Sequence, residues 1–273
     1  MNSVGTDAGL LERIEEHFDA APRSAADVEE HGALTLFVSR IPWRFYGRPR
    51  LGLEHDVGAD DVAALRARQR ELGVREALEW VHETTPSLAG AARAAGLEVL
   101  QVPLLALAEE EWSPPEAPAG VALRMLGAAD PALPAAQAVV ELAFAANGMD
   151  PGDVGPEARD LAQARLGDLG FLRERLRRGL TGMAVAEGDA GALGAGSHQL
   201  AAGVAEVMGV GTLPTARRRG IGAAVTGRLV QDARHRGAEI VFLSAADDDV
   251  ARLYERLGFH RVGTAGFAFP SSE

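Results

Sequence analysis

One stretch decides how the rest of this sequence is interpreted: Thr212-Leu213-Pro214-Thr215-Ala216-Arg217-Arg218-Arg219-Gly220-Ile221-Gly222-Ala223. It joins an apolar, strand-like segment at 204–212 to the helical pattern of 220–236. A helix N-terminus offers unpaired backbone N–H groups and the positive end of the helix dipole, and glycine lets an anion approach the backbone. The stretch therefore predicts a phosphate-binding loop, with an arginine-rich, solvated helix start as the alternative. It is not a Walker loop or a dinucleotide fingerprint, because the Gly-Lys-Ser/Thr and the third glycine are missing.

The segments around this loop predict a mixed α/β layer with one sheet. Three apolar segments separated by glycine-rich turns precede the loop, as in an antiparallel meander. The predicted order from the linker onwards is strand, two helices, three strands, helix, strand, helix and strand. The segments are 121–125, 134–145, 156–178, 183–186, 192–199, 204–212, 220–236, 240–244, 250–257 and 261–269.

A similar order can be read in the first half of the chain. Helical patterns at 10–18, 60–72 and 86–95 alternate there with strand-like segments at 33–38, 77–81 and 98–107. A constant shift of 162 residues pairs Gly58 with Gly220, Trp80 with Phe242, Leu88 with Val250 and Gly96 with Gly258. This shift predicts two related domains, although two unrelated helix–strand units could match by chance.

An acidic, proline-rich run separates the two halves and favours neither a helix nor a central strand. The predicted division is therefore a domain at 1–108, a linker at 109–119 and a second domain at 120–273.

Composition excludes several classes of function. The 273 residues are 47% hydrophobic and 24% charged, which is typical of a folded globular protein. Because there is no cysteine, disulfides, thiolate metal sites and a cysteine nucleophile are excluded. The net charge of -12 argues against nucleic-acid binding and favours a cationic substrate. No apolar run approaches the roughly 20 residues of a membrane helix, and no signal peptide is evident, so we expect a cytoplasmic protein without a membrane partner.

Two motifs at a definite spacing resemble the GNAT superfamily of N-acyltransferases. The family's signature Gln/Arg-x-x-Gly-x-Gly/Ala, between its fourth strand and third helix, is matched by Arg217, Gly220 and Gly222. A second signature is matched by the strand at 240–244 and by Leu253-Tyr254-Glu255-Arg256-Leu257-Gly258-Phe259. The resemblance is strong over about 121–269. It implies an α/β fold with a mixed, mainly antiparallel sheet flanked by helices, and through the repeat a tandem of two GNAT-like domains.

The resemblance also implies acetyl-CoA as the acyl donor, without a metal. The pantetheine arm would pair with the splayed fourth strand at Val210, Gly211 and Thr212. The pyrophosphate would lie among the residues of the loop, namely Arg217, Arg218, Arg219, Gly220, Ile221, Gly222 and Ala223. Asp247 stands where the family often has an asparagine that bonds the coenzyme arm, but a carboxylate accepts hydrogen bonds and cannot donate as an amide does.

Tyr254 resembles the family's general acid, which protonates the departing thiolate. The alternative is that Tyr254 only packs its ring on its helix. Glu206 stands where some members have the general base; a glutamate on the solvent face of a strand is the alternative. His198 is a weaker candidate. Asn147, Asp150 and Asp153 lie in the connection that shapes the acceptor pocket in the family, and a solvated acidic loop would explain them as well.

The N-terminal half lacks both parts of this machinery. By the shift of 162, Ala92 stands in place of Tyr254, and His55-Asp56-Val57-Gly58-Ala59-Asp60 stands in place of the arginine–glycine loop. We therefore expect one catalytic domain that acetylates a primary amine of a small cationic molecule, in a monomer or homodimer. The alternatives are a protein or peptide N-terminus as acceptor, and a non-catalytic acyl-CoA sensor or pseudoenzyme.

Overall fold

The computed structural model describes residues 4–107, 112–146 and 148–271. The chain forms two compact units. The first contains 1–106 together with 244–255 and 260–273, and the second contains 107–243 and 256–259. The sequence prediction places 120–273 in one domain, whereas the compact units group two of its segments with the N-terminal residues. No helix among the described residues is long and apolar enough to cross a membrane.

The first unit is a sheet with helices. Its elements are α1 (Val4–Arg23), β1 (Ala26–His31), β2 (Leu34–Ser39), β3 (Gly47–Pro49), α2 (Ala59–Glu71), β4 (Leu78–Val81), α3 (Ser87–Ala94), β5 (Glu98–Leu107), α8 (Asp248–Glu255) and β11 (His260–Phe269). The strand order is β1-β2-β3-β4-β11-β5. Among the strands of this unit that the structure describes, β3 and β4 are the parallel pair, and β11 is antiparallel to both of its neighbours in this order.

Strand β11, the last strand of the chain, lies inside this first sheet. Ala265 of β11 is opposite Val81 of β4 on one side and Val102 of β5 on the other. Ala268 of β11 belongs to the same buried core as Trp80 of β4, which is 0% exposed. The N-terminal sheet is thus completed by residues from the other end of the chain.

The second unit holds the loop that opened the sequence analysis. Its elements are β6 (Ala122–Met125), α4 (Leu133–Ala145), α5 (Pro156–Gln163), α6 (Gly170–Arg177), β7 (Thr181–Gly188), β8 (Gly191–Ala201), β9 (Val204–Thr212), a 3₁₀ turn (Pro214–Ala216), α7 (Ile221–His235) and β10 (Ile240–Ser244). The strand order is β10-β9-β8-β7-β6; within the described residues, β9 and β10 pair in parallel and the other pairs are antiparallel.

The structure confirms the internal repeat. Adding 162 to the bounds of β5, 98–107, gives 260–269, which are the bounds of β11. The same shift moves the first residue of α2, Ala59, onto the first residue of α7, Ile221, and β4 onto the first four residues of β10. A match that extends over whole elements does not arise from a few apolar positions.

The prediction of one helix over 156–178 is wrong. Two helices, α5 and α6, occupy this range and are separated at 164–169. The separating segment contains Gly167, which is unfavourable in a helix. Asp168 follows, and its carboxylate accepts the backbone N–H of Gly170 at 2.8 Å, so it satisfies a donor at the start of α6.

His198, the weaker base candidate, is buried between β8 and α7. Its Nε2 lies 2.7 Å from the Oδ2 of Asp232, and Arg236 donates to the same oxygen at 2.6 Å. The His198 ring is 0% exposed. Burial alone raises the pKa of Asp232, but the hydrogen bonds from His198 and Arg236 outweigh burial and hold the pKa below its usual range. This arrangement supports a structural role for His198.

We expect Asp232→Asn to lower the free energy of unfolding by about 2 kcal/mol at pH 7, because hydrogen bonds to a charged group contribute about 1.5–3 kcal/mol. A carboxylate with a lowered pKa in the folded state stabilises the protein fully above its unfolded pKa of about 4. That contribution is lost as the pH falls through the folded value, so the difference in stability between the two proteins should shrink as the pH falls below about 4. Thermal unfolding between pH 7 and pH 3 measures this.

The matched control is Asp189→Asn, at an exposed carboxylate in the turn between β7 and β8. It should change stability little at any pH. A difference between wild type and Asp232→Asn that stays constant down to pH 3 would contradict the argument.

Candidate active site

Strand β9 carries a bulge near its C-terminal end. Ser197 of β8 is opposite Met208, and Ala195 is opposite Gly211, so that Gly209 and Val210 together face one residue of β8. Gly209 has a φ of +61°, a conformation that glycine adopts at little cost. A bulge bends its strand and increases the local twist. The bulge therefore bends β9 just before Gly211 and Thr212, which pair again with β8.

Strand β9 also leaves its parallel neighbour early. The register pairs Val204–Glu206 with Ile240–Phe242 and, among the described residues, ends there. The edge of β9 beyond Glu206 therefore keeps backbone N–H and C=O groups that no described strand pairs. Val210, Gly211 and Thr212, the residues expected to hold the coenzyme arm, lie on this edge. Such an edge can pair with an extended ligand as it would with a strand.

Helix α4 lies directly against the bulged end of β9. A Cβ atom at Gly211 would be 2.7 Å from the Cβ of Ala143, closer than real carbon contacts allow. Gly211 thus permits the close approach of the last turn of α4.

The loop after β9 ends in a helix start with free donors. Leu213 is fully buried and its N–H donates to the carbonyl of Leu193 at 2.9 Å, which fixes the beginning of the loop. Gly220 is the N-cap of α7, with a φ of +81°. The first bond of the helix runs from the N–H of Ala224 to the carbonyl of Gly220, at 3.0 Å. The three preceding N–H groups therefore have no acceptor within the helix.

The arginines of the loop have different surroundings. The Arg218 side chain is 72% exposed, and its backbone has a φ of +64°, which is uncommon outside glycine. Arg219 is also exposed. Arg217 is half-buried, and its guanidinium donates to the carbonyls of Ala143, Gly148 and Asp150 at 3.0, 2.8 and 3.0 Å. The side chain of Arg217 is therefore bound to the end of α4 and to the segment after it, which sequence reasoning did not foresee.

The two catalytic candidates lie on regular elements. Glu206 is half-buried on β9, opposite Gln199 of β8 and Phe242 of β10. Tyr254 is half-buried on α8. Their catalytic roles stay predictions.

The remaining site candidates lie in turns and caps. The carboxylate of Asp247 accepts the N–H of Val250 at 2.8 Å and so caps α8, a task that an asparagine also performs. Asp150 and Asp153 are exposed, and the carboxylate of Asp150 lies 3.5 Å from Arg218. Asn147 lies outside the described residues. The pocket role of these side chains stays a prediction.

In the N-terminal unit, the equivalent helix start already holds a carboxylate. The N–H of Gly58, just before α2, donates to the Oδ2 of Asp61 at 2.9 Å, and the N–H of Val57 donates to the Oγ of Ser87 at 3.0 Å. Ala92, in place of Tyr254, is 0% exposed in the hydrophobic core. Sequence reasoning missed Asp61, although an acidic side chain three residues after an N-cap is a known capping signal.

Comparisons with known proteins concern the family and the fold. Residues 155–259 match the model of the Acetyltransferase (GNAT) family. A GCN5-related N-acetyltransferase from Kribbella flavida superposes with a TM-score of 0.71 at 24% identity, and 96% of each chain is covered. A GNAT-family protein from Novosphingobium aromaticivorans has a TM-score of 0.57 at 20% identity, over 96% of this chain and 99% of that one.

A tandem GNAT protein from the clavulanic acid biosynthesis pathway superposes with a TM-score of 0.54 at 17% identity, over 96% of this chain and 89% of that one. These likenesses confirm the predicted tandem α/β fold. No curated protein gives a significant sequence match.

Proposed function

We propose, from the premise that residues 155–259 form a domain of the acetyltransferase (GNAT) family, that the protein transfers the acetyl group of acetyl-CoA to a primary amine of a small cationic molecule. The observation that carries the proposal is the continuity of two features. The edge of β9 that no described strand pairs is followed, after the loop 213–220, by the N–H groups at the start of α7 that have no acceptor within the helix. An extended chain that ends in a pyrophosphate, as coenzyme A does, matches both features in that order.

Charge supports the orientation of the donor. The protein carries a net charge of -12, yet Arg218 and Arg219 are exposed beside the start of α7. Two arginines and the positive end of a helix dipole attract a pyrophosphate, and the acidic remainder of the surface does not. The loop is thus a local anion site on an acidic protein.

The proposed chemistry is direct transfer. The neutral amine attacks the thioester carbonyl, so that a C–N bond forms and the C–S bond breaks. Glu206 takes the proton that the amine loses, directly or through water, and Tyr254 gives a proton to the departing thiolate. The sum is one amide and one free thiol, and neither a metal nor an acyl-enzyme intermediate takes part.

A cationic acceptor is proposed because of the charge near the loop. Asp150 and Asp153 are exposed carboxylates in the segment that Arg217 binds, and the protein as a whole is acidic. Carboxylates attract an ammonium group before it loses its proton. The second candidate, a sensor that binds acyl-CoA without turnover, shares the loop and differs only in lacking catalysis.

The test is release of the coenzyme thiol from acetyl-CoA in the presence of a panel of amines, aminoglycosides and peptides. We expect turnover with a small cationic amine and little with neutral or acidic acceptors. Turnover with peptides alone would indicate that the acceptor is a polypeptide N-terminus. Binding of acetyl-CoA without turnover on any acceptor would support the sensor, and no binding would refute both proposals.

A further inference from the structure

The loop that precedes α7 is interlocked with the connection between α4 and α5, here defined as residues 148–155. The side chain of Arg217 contributes three hydrogen bonds, to Ala143 at the end of α4 and to Gly148 and Asp150 of the connection. Arginine offers five donors in a rigid fork, so one side chain can hold several carbonyls at once. A loop residue thereby fixes a segment that lies about 70 residues earlier in the chain.

Backbone contacts extend the same interlock. The N–H of Gly152 donates to the carbonyl of Pro214, and the N–H of Thr215 donates to the carbonyl of Val154, both at 3.2 Å. A Cβ atom at Gly155 would be 3.0 Å from the Oγ1 of Thr215, so the two segments are in close contact. The connection, residues 148–155, therefore lies along the loop and cannot shift unless the loop shifts as well.

The guanidinium of Arg217 already donates to three neutral backbone carbonyls. Ala143 lies in the last turn of α4, where carbonyls lack helical partners and the dipole is negative, and a guanidinium there is favourable. These bonds use three of the five N–H donors of Arg217, so a pyrophosphate could receive at most the remaining two while the bonds are kept. Within the described residues, no hydrogen bond or ion pair is recorded for the guanidinium of Arg219, which is exposed in the same loop.

We propose that Arg217 is a positioning residue that couples occupancy of the coenzyme loop to the conformation of the connection 148–155, and through it to binding of the acceptor. The inference rests on the proposed function for the identity of the ligand. Under it, the pyrophosphate is held by backbone N–H groups and by Arg218 and Arg219, while Arg217 transmits the change in the loop.

The test is hydrogen exchange of the peptides that cover 148–155 and 218–224, with and without saturating acetyl-CoA. In the wild type, we expect acetyl-CoA to slow exchange in both peptides, by about fivefold or more at 148–155. Arg217→Ala should exchange faster at 148–155 without ligand. With acetyl-CoA it should keep the protection of 218–224 and lose that of 148–155, while the affinity stays within about fivefold of wild type.

Two matched variants separate the coupling from a general effect of charge. Arg219→Ala removes a positive charge from the same loop and should weaken acetyl-CoA binding by about tenfold or more, yet protect 148–155 normally once saturated. Arg165→Ala removes an exposed charge elsewhere and should behave as the wild type. If Arg217→Ala does not fold, Arg217→Lys keeps the charge without the three-way fork and should show the same loss of coupling in weaker form.

Three results would overturn the inference. The first is normal protection of 148–155 in saturated Arg217→Ala, and the second is unchanged exchange of 148–155 in the unliganded variant. The third is a loss of acetyl-CoA affinity of about 100-fold in Arg217→Ala, which would mean that its guanidinium binds the pyrophosphate. If the wild type binds no acetyl-CoA, the proposed function fails and the coupling fails with it.

Discussion

Ala223→Asp is expected to weaken acetyl-CoA binding by about 100-fold to 1000-fold while leaving the fold intact. The reason is visible in the N-terminal unit, where Asp61 occupies the position that the shift of 162 assigns to Ala223. Its carboxylate accepts the N–H of Gly58 and places a negative charge at the helix start. Two like charges about 4 Å apart repel by about 4 kcal/mol at an effective dielectric constant near 20. Titration calorimetry with acetyl-CoA measures the loss.

A carboxylate in the first turn of a helix is itself favourable by about 0.3–1 kcal/mol, so the thermal stability of unliganded Ala223→Asp should not fall. Ala223→Asn is the matched control, because an amide can cap the helix start without adding a charge. It should retain most of the affinity. If both variants lose binding equally, the loss is steric and the electrostatic argument is wrong.

The same titration reports the stoichiometry of the wild type. We expect one equivalent of acetyl-CoA per chain, because the helix start of α2 already holds a carboxylate. Two equivalents would show that the N-terminal half binds the coenzyme after all.

Tyr254→Phe should lower kcat by about 100-fold or more and leave the affinity for acetyl-CoA unchanged. A positioned general acid typically contributes about 10²-fold to 10⁴-fold, and the substitution removes only the hydroxyl while the ring is kept. Steady-state kinetics with the best amine of the panel, together with calorimetry, measures both quantities. The role of Tyr254 as acid would be refuted by a variant that turns over at the wild-type rate.

A more activated thioester gives an independent control for Tyr254→Phe. A donor whose leaving thiolate is less basic depends less on protonation, so such a donor should reduce the difference between the variant and the wild type. A difference that is the same for both donors would indicate that the substitution disturbs binding geometry instead of proton transfer.

Sequence patterns located most regular elements, because apolar periodicity reports which face of an element is buried. Strand β5 and strand β10 begin and end where their apolar segments do. Strand β1 was missed, since its sequence Ala-Asp-Val-Glu-Glu-His is largely polar and exposed. Strand β3 was missed because three residues are too few for a pattern. The break between α5 and α6 was missed because it depends on local features, namely Gly167 and the hydrogen bond from the N–H of Gly170 to the carboxylate of Asp168.

The candidate site also has one part that the sequence predicts and one part that it does not. The glycines and arginines of the loop carry their own signal, because few other structures need that combination beside a strand. The three hydrogen bonds of Arg217 have no signal in the sequence, since their acceptors are the backbone carbonyls of Ala143, Gly148 and Asp150. A carbonyl is the same in every residue, so only folding reveals which ones a side chain meets.

The position of β11 has a consequence for biosynthesis. The ribosome finishes β5 at residue 107, but the strand that separates β4 from β5 ends at residue 269. At about 5–20 residues per second, roughly 10–30 s of translation pass before the N-terminal sheet can close. During this time, β4 and β5 each present an edge to nascent chains nearby, which is a known route to aggregation. A gene cut at the linker would make that exposure permanent, so the two halves should be expressed as one polypeptide.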